Sequence, residues 1–149
     1  MDNDKYWLSF ADKVAEKSKC QKRKVGCVIV GKDGRVVVTA YNGHPSKTTQ
    51  DHICLRKNVK SGTNTEIGSC CHSEINSLIF ADFNRLEGST MYLTHPPCKG
   101  CSPYLLQAKL ANLVYYNDEI ERDNGIDLLK ELSNGSKYPI NIRSYNRET

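Results

Sequence analysis

Four residues in two short motifs could together bind and use a metal ion. His72 and Glu74 lie two positions apart, and Cys98 and Cys101 form a Cys-x-x-Cys pair that begins 26 residues after the histidine. One imidazole and two thiolates supply three protein ligands for zinc, and a catalytic zinc site keeps its fourth position open for water. Glu74 adds a carboxylate that can carry protons beside the metal. These motifs predict a catalytic zinc bound by His72, Cys98 and Cys101, with Glu74 as the proton carrier.

Two other interpretations of the motifs stay open. The Cys-x-x-Cys pair alone could be a redox pair, but such a pair needs no histidine upstream. A purely structural zinc, with a fourth ligand elsewhere in the chain, would give Glu74 no purpose. The ordered combination, with each half at the predicted start of a helix, favours the catalytic zinc.

Alternating helices and strands are predicted to position the two motifs. The first helix should bury one apolar face that contains Tyr6, Phe10 and Val14, with Trp7 and Ala11 beside them. Asp33-Gly34 is typical of a tight turn between two antiparallel strands. The segment from 72 onward alternates helix and strand, so its strands should be parallel. The predicted helices cover 4–19, 72–84, 98–110 and 126–132, and the predicted strands cover 25–30, 35–41, 91–94, 113–116 and 140–143.

The helix over 72–84 should begin at the histidine and bury its apolar side chains. We expect Ile75, Leu78, Ile79 and Phe83 on that buried side. Two helix starts that face each other at the end of a parallel sheet lie where such folds bind ligands. The organisation is that of one domain over residues 1–149.

Composition limits the classes of protein that this chain can represent. Its 149 residues are 38% hydrophobic and 26% charged, which is typical of a globular domain. The apolar runs are too short for a membrane span, and the polar N-terminus does not resemble a secretory signal. Seven cysteines without such a signal favour metal binding or free thiols over disulfides. We therefore expect a cytoplasmic protein without a membrane partner.

Positive charge is concentrated within eight residues, although the net charge is only +4. This cluster is either a solvated helix end or an anion site for phosphates. Arg23 and Lys24 favour the second interpretation, because they lead directly into a predicted buried strand. The cluster comprises Lys17, Lys19, Lys22, Arg23 and Lys24.

A long irregular segment over 42–71 separates the two halves of the chain. Loops of this length inside a compact domain are uncommon and usually functional or metal-organised. The segment is rich in residues that bind metals, which favours such organisation. These residues are His44, His52, Cys54, Cys70 and Cys71.

His-x-Glu followed by Pro-Cys-x-x-Cys is the zinc signature of nucleobase deaminases. Over residues 5–117 the chain resembles the deoxycytidylate (dCMP) deaminase family within the cytidine/deoxycytidylate deaminases. The resemblance is carried by four segments, 20–27, 41–45, 72–76 and 94–101. It implies a three-layer α-β-α fold of the cytidine-deaminase type with a mixed five-stranded sheet. The first two strands would be antiparallel and the others largely parallel.

The resemblance implies hydrolytic conversion of dCMP to dUMP, which supplies thymidylate synthesis. It also implies a homohexamer regulated by dCTP and dTTP, with Mg²⁺ accompanying the triphosphate. Alternatives are a deaminase that also accepts dCTP, a deaminase of tRNA or other nucleic acid, or a zinc-stabilised nucleotide-sensing module without activity. A nucleic-acid partner is not expected, because only Tyr115 and Tyr116 interleave with basic residues.

Further site residues follow from the resemblance alone. Asn42 would orient the sugar, Arg23 would contact the 5′-phosphate, and Tyr116 is a candidate for a nucleotide contact. The effector would lie near Gly43 and His44, with Lys22 or Lys24 near its phosphates.

Two departures from the family pattern and a second metal site complete the expectations. Ser73 replaces the usual alanine, a change that should be harmless because both residues are small. Phe83 lies where some regulated relatives carry an arginine, so it cannot make the same charged contact. A second, structural zinc is one interpretation of the remaining cysteines, and buried free thiols are the other. Its ligands would be Cys20, Cys54 and Cys70, with His52 or Cys71 as the fourth.

Overall fold

The computed structural model describes residues 3–20, 23–43, 71–117 and 125–147. Helices and strands alternate through most of these ranges. The helices are α1 (Asn3–Ala15), α2 (Ser73–Phe80), α3 (Ser102–Gln107) and α4 (Gly125–Asn134), with a 3₁₀ turn at Phe83–Arg85. The strands are β1 (Gly26–Val30), β2 (Val36–Tyr41), β3 (Thr90–Leu93), β4 (Asn112–Tyr116) and β5 (Asn141–Tyr145).

The five strands form one mixed sheet in the order β2-β1-β3-β4-β5. Strand β1 is antiparallel to both neighbours, β2 and β3, while β3, β4 and β5 are parallel. The predicted sheet is confirmed. Because β3, β4 and β5 run in the same direction, their carboxyl ends share one edge, and the start of β1 lies beside it. There the Thr94 amide donates to the Gly26 carbonyl at 3.1 Å.

The predicted turn between the first two strands is also confirmed. Gly34 has a φ of +80°, a region that favours glycine, and its amide donates to the Gly31 carbonyl at 3.0 Å. The Asp33 carboxylate accepts from the Arg35 amide at 3.0 Å. An Asp-Gly pair therefore closes the hairpin through its own backbone and side chain.

The sheet separates two apolar cores, and the three-layer arrangement is confirmed. Helix α1 covers one face, and α2, α3 and α4 contribute to the other. Alternation along β1 shows the division, because Val28 and Val30 face α1 whereas Cys27 and Ile29 face the opposite core.

The buried face of α1 matches the prediction only in part. Tyr6 is 51% exposed and Phe10 is 37% exposed, whereas Ala11, which belongs to the predicted face, and Leu8, which does not, are completely buried. A Cβ atom on Gly26 would lie 2.1 Å from the Ala11 carbonyl oxygen, so the helix crosses very close to β1. Small residues permit this close approach, and the bulky Tyr6 and Phe10 side chains remain partly exposed to solvent.

Helix α2 ends earlier than predicted, and its buried face matches the prediction only in part, since Ile75 and Leu78 are half-buried. It stops at Phe80, and Ile79 and Phe83 are 64% and 77% exposed. The side chains that it buries most deeply are the polar Ser73, Glu74 and Ser77. Leu78 packs against the core as predicted. Ile79 and Phe83 face outward, because the polar residues on another side of the helix take the buried positions beside the candidate site.

Within the described ranges, no helix has the length and apolar character needed to cross a membrane.

Candidate active site

The imidazole of His72 is directed to the two cysteines by the start of α2. His72 is the residue before the helix, with an extended backbone (φ −72°, ψ 148°), and its side chain makes no capping hydrogen bond. A residue at this position normally uses its side chain to cap the helix. Here Nδ1 instead lies 3.3 Å from the Sγ atoms of both Cys98 and Cys101.

The two cysteines lie in a turn that precedes α3, and the predicted helix start at Cys98 is wrong. The amides of Cys101 and Ser102 both donate to the Cys98 carbonyl, at 3.2 and 3.1 Å. This turn brings the sulfurs to 3.4 Å without a helix between them. Pro103 then occupies the first turn of α3, where its missing amide is tolerated.

The three donor atoms fit a zinc ion. They form a nearly equilateral triangle with sides of 3.3 to 3.4 Å. Ideal tetrahedral Zn–S and Zn–N bonds would separate such donors by roughly 3.6–3.8 Å, so a small expansion would admit the ion. A Glu74 carboxylate oxygen joins the three donors, and all four atoms lie within 4.8 Å of one another. The spacing fits three ligands and one neighbouring acid.

The two thiols of the pair differ in how readily they lose a proton. The hydrogen bond between Cys98 and Cys101 lowers the pKa of Cys98, although burial acts in the opposite direction, and His72 lowers it further. The contact with Cys98, burial and the Glu74 carboxylate all raise the pKa of Cys101. The pKa values of the two thiols therefore shift in opposite directions, and a bound dication would favour the thiolate form of both cysteines.

Glu74 is held in the first turn of α2 and is only 4% exposed. The completely buried Ser73 hydroxyl donates to Glu74 Oε1 at 3.0 Å. The Ser77 hydroxyl donates to the Glu74 main-chain carbonyl at 2.6 Å. Sequence reasoning treated Ser73 only as a small residue and missed this contact, which orients the carboxylate.

The first residue of helix α4 packs against the cysteine turn. The Ser102 hydroxyl lies 2.9 Å from the Cys98 carbonyl and 2.8 Å from the Gly125 carbonyl, joining the two segments. A Cβ atom on Gly125 would lie 2.1 Å from the Pro97 carbonyl oxygen. Sequence reasoning missed this contact, and a glycine at the start of a helix was the only signal for it.

The side-chain amide of Asn42 is hydrogen-bonded within the chain. Its Oδ1 accepts from the Ser18 hydroxyl at 2.7 Å and the Val25 amide at 2.9 Å. Its Nδ2 donates to the Arg23 carbonyl at 2.8 Å. The next residue, Gly43, pairs with Cys71, the residue before His72. The end of β2 is thus joined directly to the metal motif.

The other predicted site residues are only partly described. Arg23 is half-buried and Lys24 is exposed. Tyr116 is half-buried at the end of β4, with the guanidinium carbon of Arg147 4.2 Å from its ring centre. Cys20 and Cys71 are half-buried free thiols. Five predicted residues lie outside the described ranges, namely Lys22, His44, His52, Cys54 and Cys70.

Comparison with known sequences agrees with this geometry. Residues 1–117 match the family model described as "Cytidine and deoxycytidylate deaminase zinc-binding region". The deoxycytidylate deaminase of Mycobacterium phage D29 is 34% identical over 123 residues, which cover 76% of this chain and 94% of that protein. The Saccharomyces cerevisiae enzyme is 36% identical over 115 residues, but the match covers 75% of this chain and only 36% of the yeast protein.

Solved structures show the same fold. The dCMP deaminase of cyanophage S-TIM5 in its apo form has a TM-score of 0.70 and 25% identity, covering 97% of this chain and all of that one. The same cyanophage protein in complex with dCMP and dUMP has a TM-score of 0.72 and 23% identity, covering 97% and 99%. With the zinc-ligand geometry and the sequence match in agreement, this chain belongs to the cytidine and deoxycytidylate deaminase family.

Proposed function

We propose that this protein hydrolyses dCMP to dUMP and ammonia. The observation that carries the proposal is the buried Glu74 carboxylate beside three converging zinc ligands. The deoxycytidylate deaminases that match this chain support dCMP as the substrate. A structural zinc site would not need this acid, whereas water-dependent deamination requires a group that moves protons.

The described residues account for the proton transfers of the reaction. Zinc held by His72, Cys98 and Cys101 would supply a Lewis acid that makes water acidic enough to react near neutral pH. Glu74 takes a proton from the attacking water and delivers it to N3 of the cytosine. Oxygen bonds to C4, and Glu74 then passes the second water proton to the departing amine. The C4–N bond breaks, ammonia leaves and a carbonyl forms, so that all atoms balance.

The nucleotide contacts are proposed from the edge of the sheet beside this centre. Asn42 would orient the sugar while its amide braces the start of β1. Arg23 would bind the 5′-phosphate, and Tyr116 would contact the nucleotide. The pairing of Gly43 with Cys71 supports this arrangement, because it joins the Asn42 segment to His72.

Ammonia release from cytidine, dCMP and dCTP tests the reaction and its substrate together. We expect dCMP to react fastest. Glu74→Gln should lower kcat by about 10²–10⁴-fold and retain zinc, because a proton carrier is lost but no ligand is. Glu131→Gln, at an exposed position on α4, is the matched control. Absence of product from every cytosine compound would leave a nucleotide-sensing module as the better interpretation.

Regulation by dCTP and dTTP, with Mg²⁺ beside the triphosphate, is part of the proposal. The effector would lie near Gly43 and Lys24, and near Lys22 and His44 outside the described residues. The link from Gly43 to the residue before His72 supports communication between this region and the metal motif. The assay should therefore include each triphosphate with and without Mg²⁺, and unchanged rates would contradict regulation.

A second, structural zinc is also proposed, with Cys20, Cys54 and Cys70 as ligands and His52 or Cys71 as the fourth. The half-buried free thiols of Cys20 and Cys71 are compatible with it. Zinc analysis of the purified protein decides the matter, since two ions per chain support the second site and one ion removes it.

A homo-oligomer, specifically a hexamer, completes the proposal. The outer side of α2 and the following turn supports it, because Ile79, Phe80 and Phe83 are all strongly exposed. Adjoining large apolar side chains of this kind mark interaction surfaces. Phe80→Lys should reduce the molar mass measured by light scattering, whereas Leu132→Lys, an exposed apolar position on α4, should not.

A further inference from the structure

Arg147 joins three elements of the fold from a position beyond the residues that match the family model. It lies two residues after β5. Its Nη1 donates to both carboxylate oxygens of Asp12 in α1, at 3.0 Å each. Its Nη2 donates to the Thr94 carbonyl at 3.1 Å, and its guanidinium carbon lies 4.2 Å from the centre of the Tyr116 ring.

Two of these contacts are at the edge of the sheet that carries the candidate site. Thr94 follows β3, and Tyr116 ends β4. The Thr94 hydroxyl oxygen also accepts from the Gly26 amide at 3.1 Å and lies 2.8 Å from Nδ1 of His95. Four residues after Thr94 the chain reaches Cys98, the first cysteine ligand. Arg147 therefore holds the segment that leads into the metal-binding turn.

The planar shape of the Arg147 guanidinium is more important for these contacts than its ion pair with Asp12. Arg147 and Asp12 are 43% and 39% exposed, and exposed pairs contribute little to stability. A guanidinium can donate in its plane to Asp12 and Thr94 while its face covers an aromatic ring. Lysine has neither the fork nor the flat face, so it cannot make these contacts together.

We propose that Arg147 is a positioning residue, which fixes Tyr116 and the Thr94–His95 segment where the pyrimidine nucleotide binds. This inference rests on the proposed deamination of dCMP. Arg147 acts through these two neighbours and takes no part in the proton transfers. Its loss should therefore weaken nucleotide binding more than it slows the chemical step.

Arg143 offers a matched comparison on the same segment. It also reaches an aspartate of α1, since its Nε and Nη2 donate to Asp4 at 2.9 and 3.0 Å. Its other described hydrogen bonds run to Asn112 and Asn141, away from Thr94 and Tyr116. If the kinetic effect came only from looser attachment of α1 to the C-terminal segment, variants of both arginines would show it. If it came from positioning of the site, only the Arg147 variants would show it.

Steady-state kinetics with dCMP separate these cases. Arg147→Ala should raise KM about tenfold while kcat changes less than about threefold and zinc content stays at the wild-type level. Arg147→Lys should also raise KM, because it keeps the charge but loses the planar contacts. Arg143→Lys should lower thermal stability and leave KM within about twofold. An unchanged KM in both Arg147 variants, or an equal rise in Arg143→Lys, would overturn the inference.

Hydrogen exchange tests the positioning without any nucleotide. In the zinc-loaded protein, Arg147→Ala should speed exchange in the peptide that contains residues 94–101, and Arg143→Lys should not. Equal exchange in wild type and Arg147→Ala would overturn the inference even if dCMP reacts. If wild type produces no dUMP but this local change is observed, the proposed reaction fails and the positioning of the edge stands.

Discussion

Two clusters of buried polar side chains lie on opposite sides of the sheet, and they use their polar atoms differently. On the α1 side, Asp4 accepts from Arg143 at 2.9 and 3.0 Å and from Tyr145 at 2.6 Å, and Tyr92 lies 3.4 Å away. Every one of these contacts pairs a donor with an acceptor, so the cluster is satisfied within the protein. Its role is to join the first helix to the last strand.

The cluster at the starts of α2 and α3 has a different arrangement. Three atoms that prefer a metal converge to 3.3–3.4 Å, and a carboxylate lies beside them. Two thiolates and a carboxylate near one another repel each other unless a cation balances their charge. Buried polar groups whose donors and acceptors pair with each other indicate a structural role. Metal-binding atoms that converge on a common point indicate a ligand site.

Removing a metal ligand is the strongest way to break this comparison. Cys101→Ser should abolish stoichiometric zinc binding and lower deamination by at least about a thousandfold, because the Lewis acid is lost. Elemental analysis after dialysis and ammonia release measure the two effects. Cys27→Ala, at a buried cysteine outside the cluster, should retain zinc. Full zinc occupancy in the Cys101 variant would mean that this sulfur is not a ligand.

Displacing the cysteine turn should have the next largest effect. Gly125→Ala would place a methyl group 2.1 Å from the Pro97 carbonyl oxygen, so the turn must move. We expect activity to fall about a hundredfold, since small misplacements at a catalytic centre are costly. At Gly135 the nearest atom to an added Cβ is 3.9 Å away, so Gly135→Ala should retain wild-type kinetics. Similar activities for the two variants would show that α4 does not position the turn.

Mutation of the Asp4 cluster should change the stability of the protein and leave its catalytic rate unchanged. Asp4→Asn should lower the free energy of unfolding by about 1–2 kcal/mol, because the buried carboxylate loses its charge while its partner Arg143, 38% exposed, can be hydrated. Urea unfolding measures this change, and kcat for dCMP should stay near the wild-type value. Glu16→Gln, which removes an exposed pair with Lys13, should cost less than about 1 kcal/mol.

Acid should weaken the same cluster in a defined direction. Burial raises the pKa of Asp4, but hydrogen bonds from Arg143 and Tyr145 outweigh it and bring the pKa below its ordinary value of 3.8. A lowered folded pKa stabilises the protein above the ordinary value, and this stabilisation is lost as the pH falls through the folded value. Unfolding at several pH values should show a steeper acid loss in wild type than in Asp4→Asn. Parallel curves would contradict this assignment.

The smallest effect should come from the serine beside the catalytic acid. Ser73→Ala removes the hydroxyl that donates to Glu74 and should lower kcat about three- to tenfold with zinc retained. Steady-state kinetics measure it, with the exposed Ser9→Ala as control. An unchanged kcat would mean that Ser73 matters only as a small residue and does not orient Glu74.

Much of the fold could be predicted from local patterns, as could the four residues that the structure brings together as a candidate metal site. The strands, the Asp33-Gly34 turn and the order of the zinc motif all follow from residue types at short spacing. Helix faces could not be predicted equally well. Tyr6 and Phe10 were assigned to the interior of α1, but a close crossing over Gly26 selects small residues there.

Contacts between distant segments were also missing from the sequence interpretation. Arg143 and Arg147 gave no signal beyond their charge, and Gly125 gave none beyond its place before a helix. Their roles depend on which segment lies opposite, and Asp4 is 139 positions away from Arg143. No periodicity within a short window contains that information.

The sequence by itself determined the residue types and order of the predicted zinc motif and the alternation of helices and strands, because both depend on the chemistry of neighbouring residues. The tertiary structure alone decided which polar groups form hydrogen bonds with one another and which converge on a position that a ligand could occupy. That distinction depends on distances between side chains from separate elements, which exist only once the layers have packed.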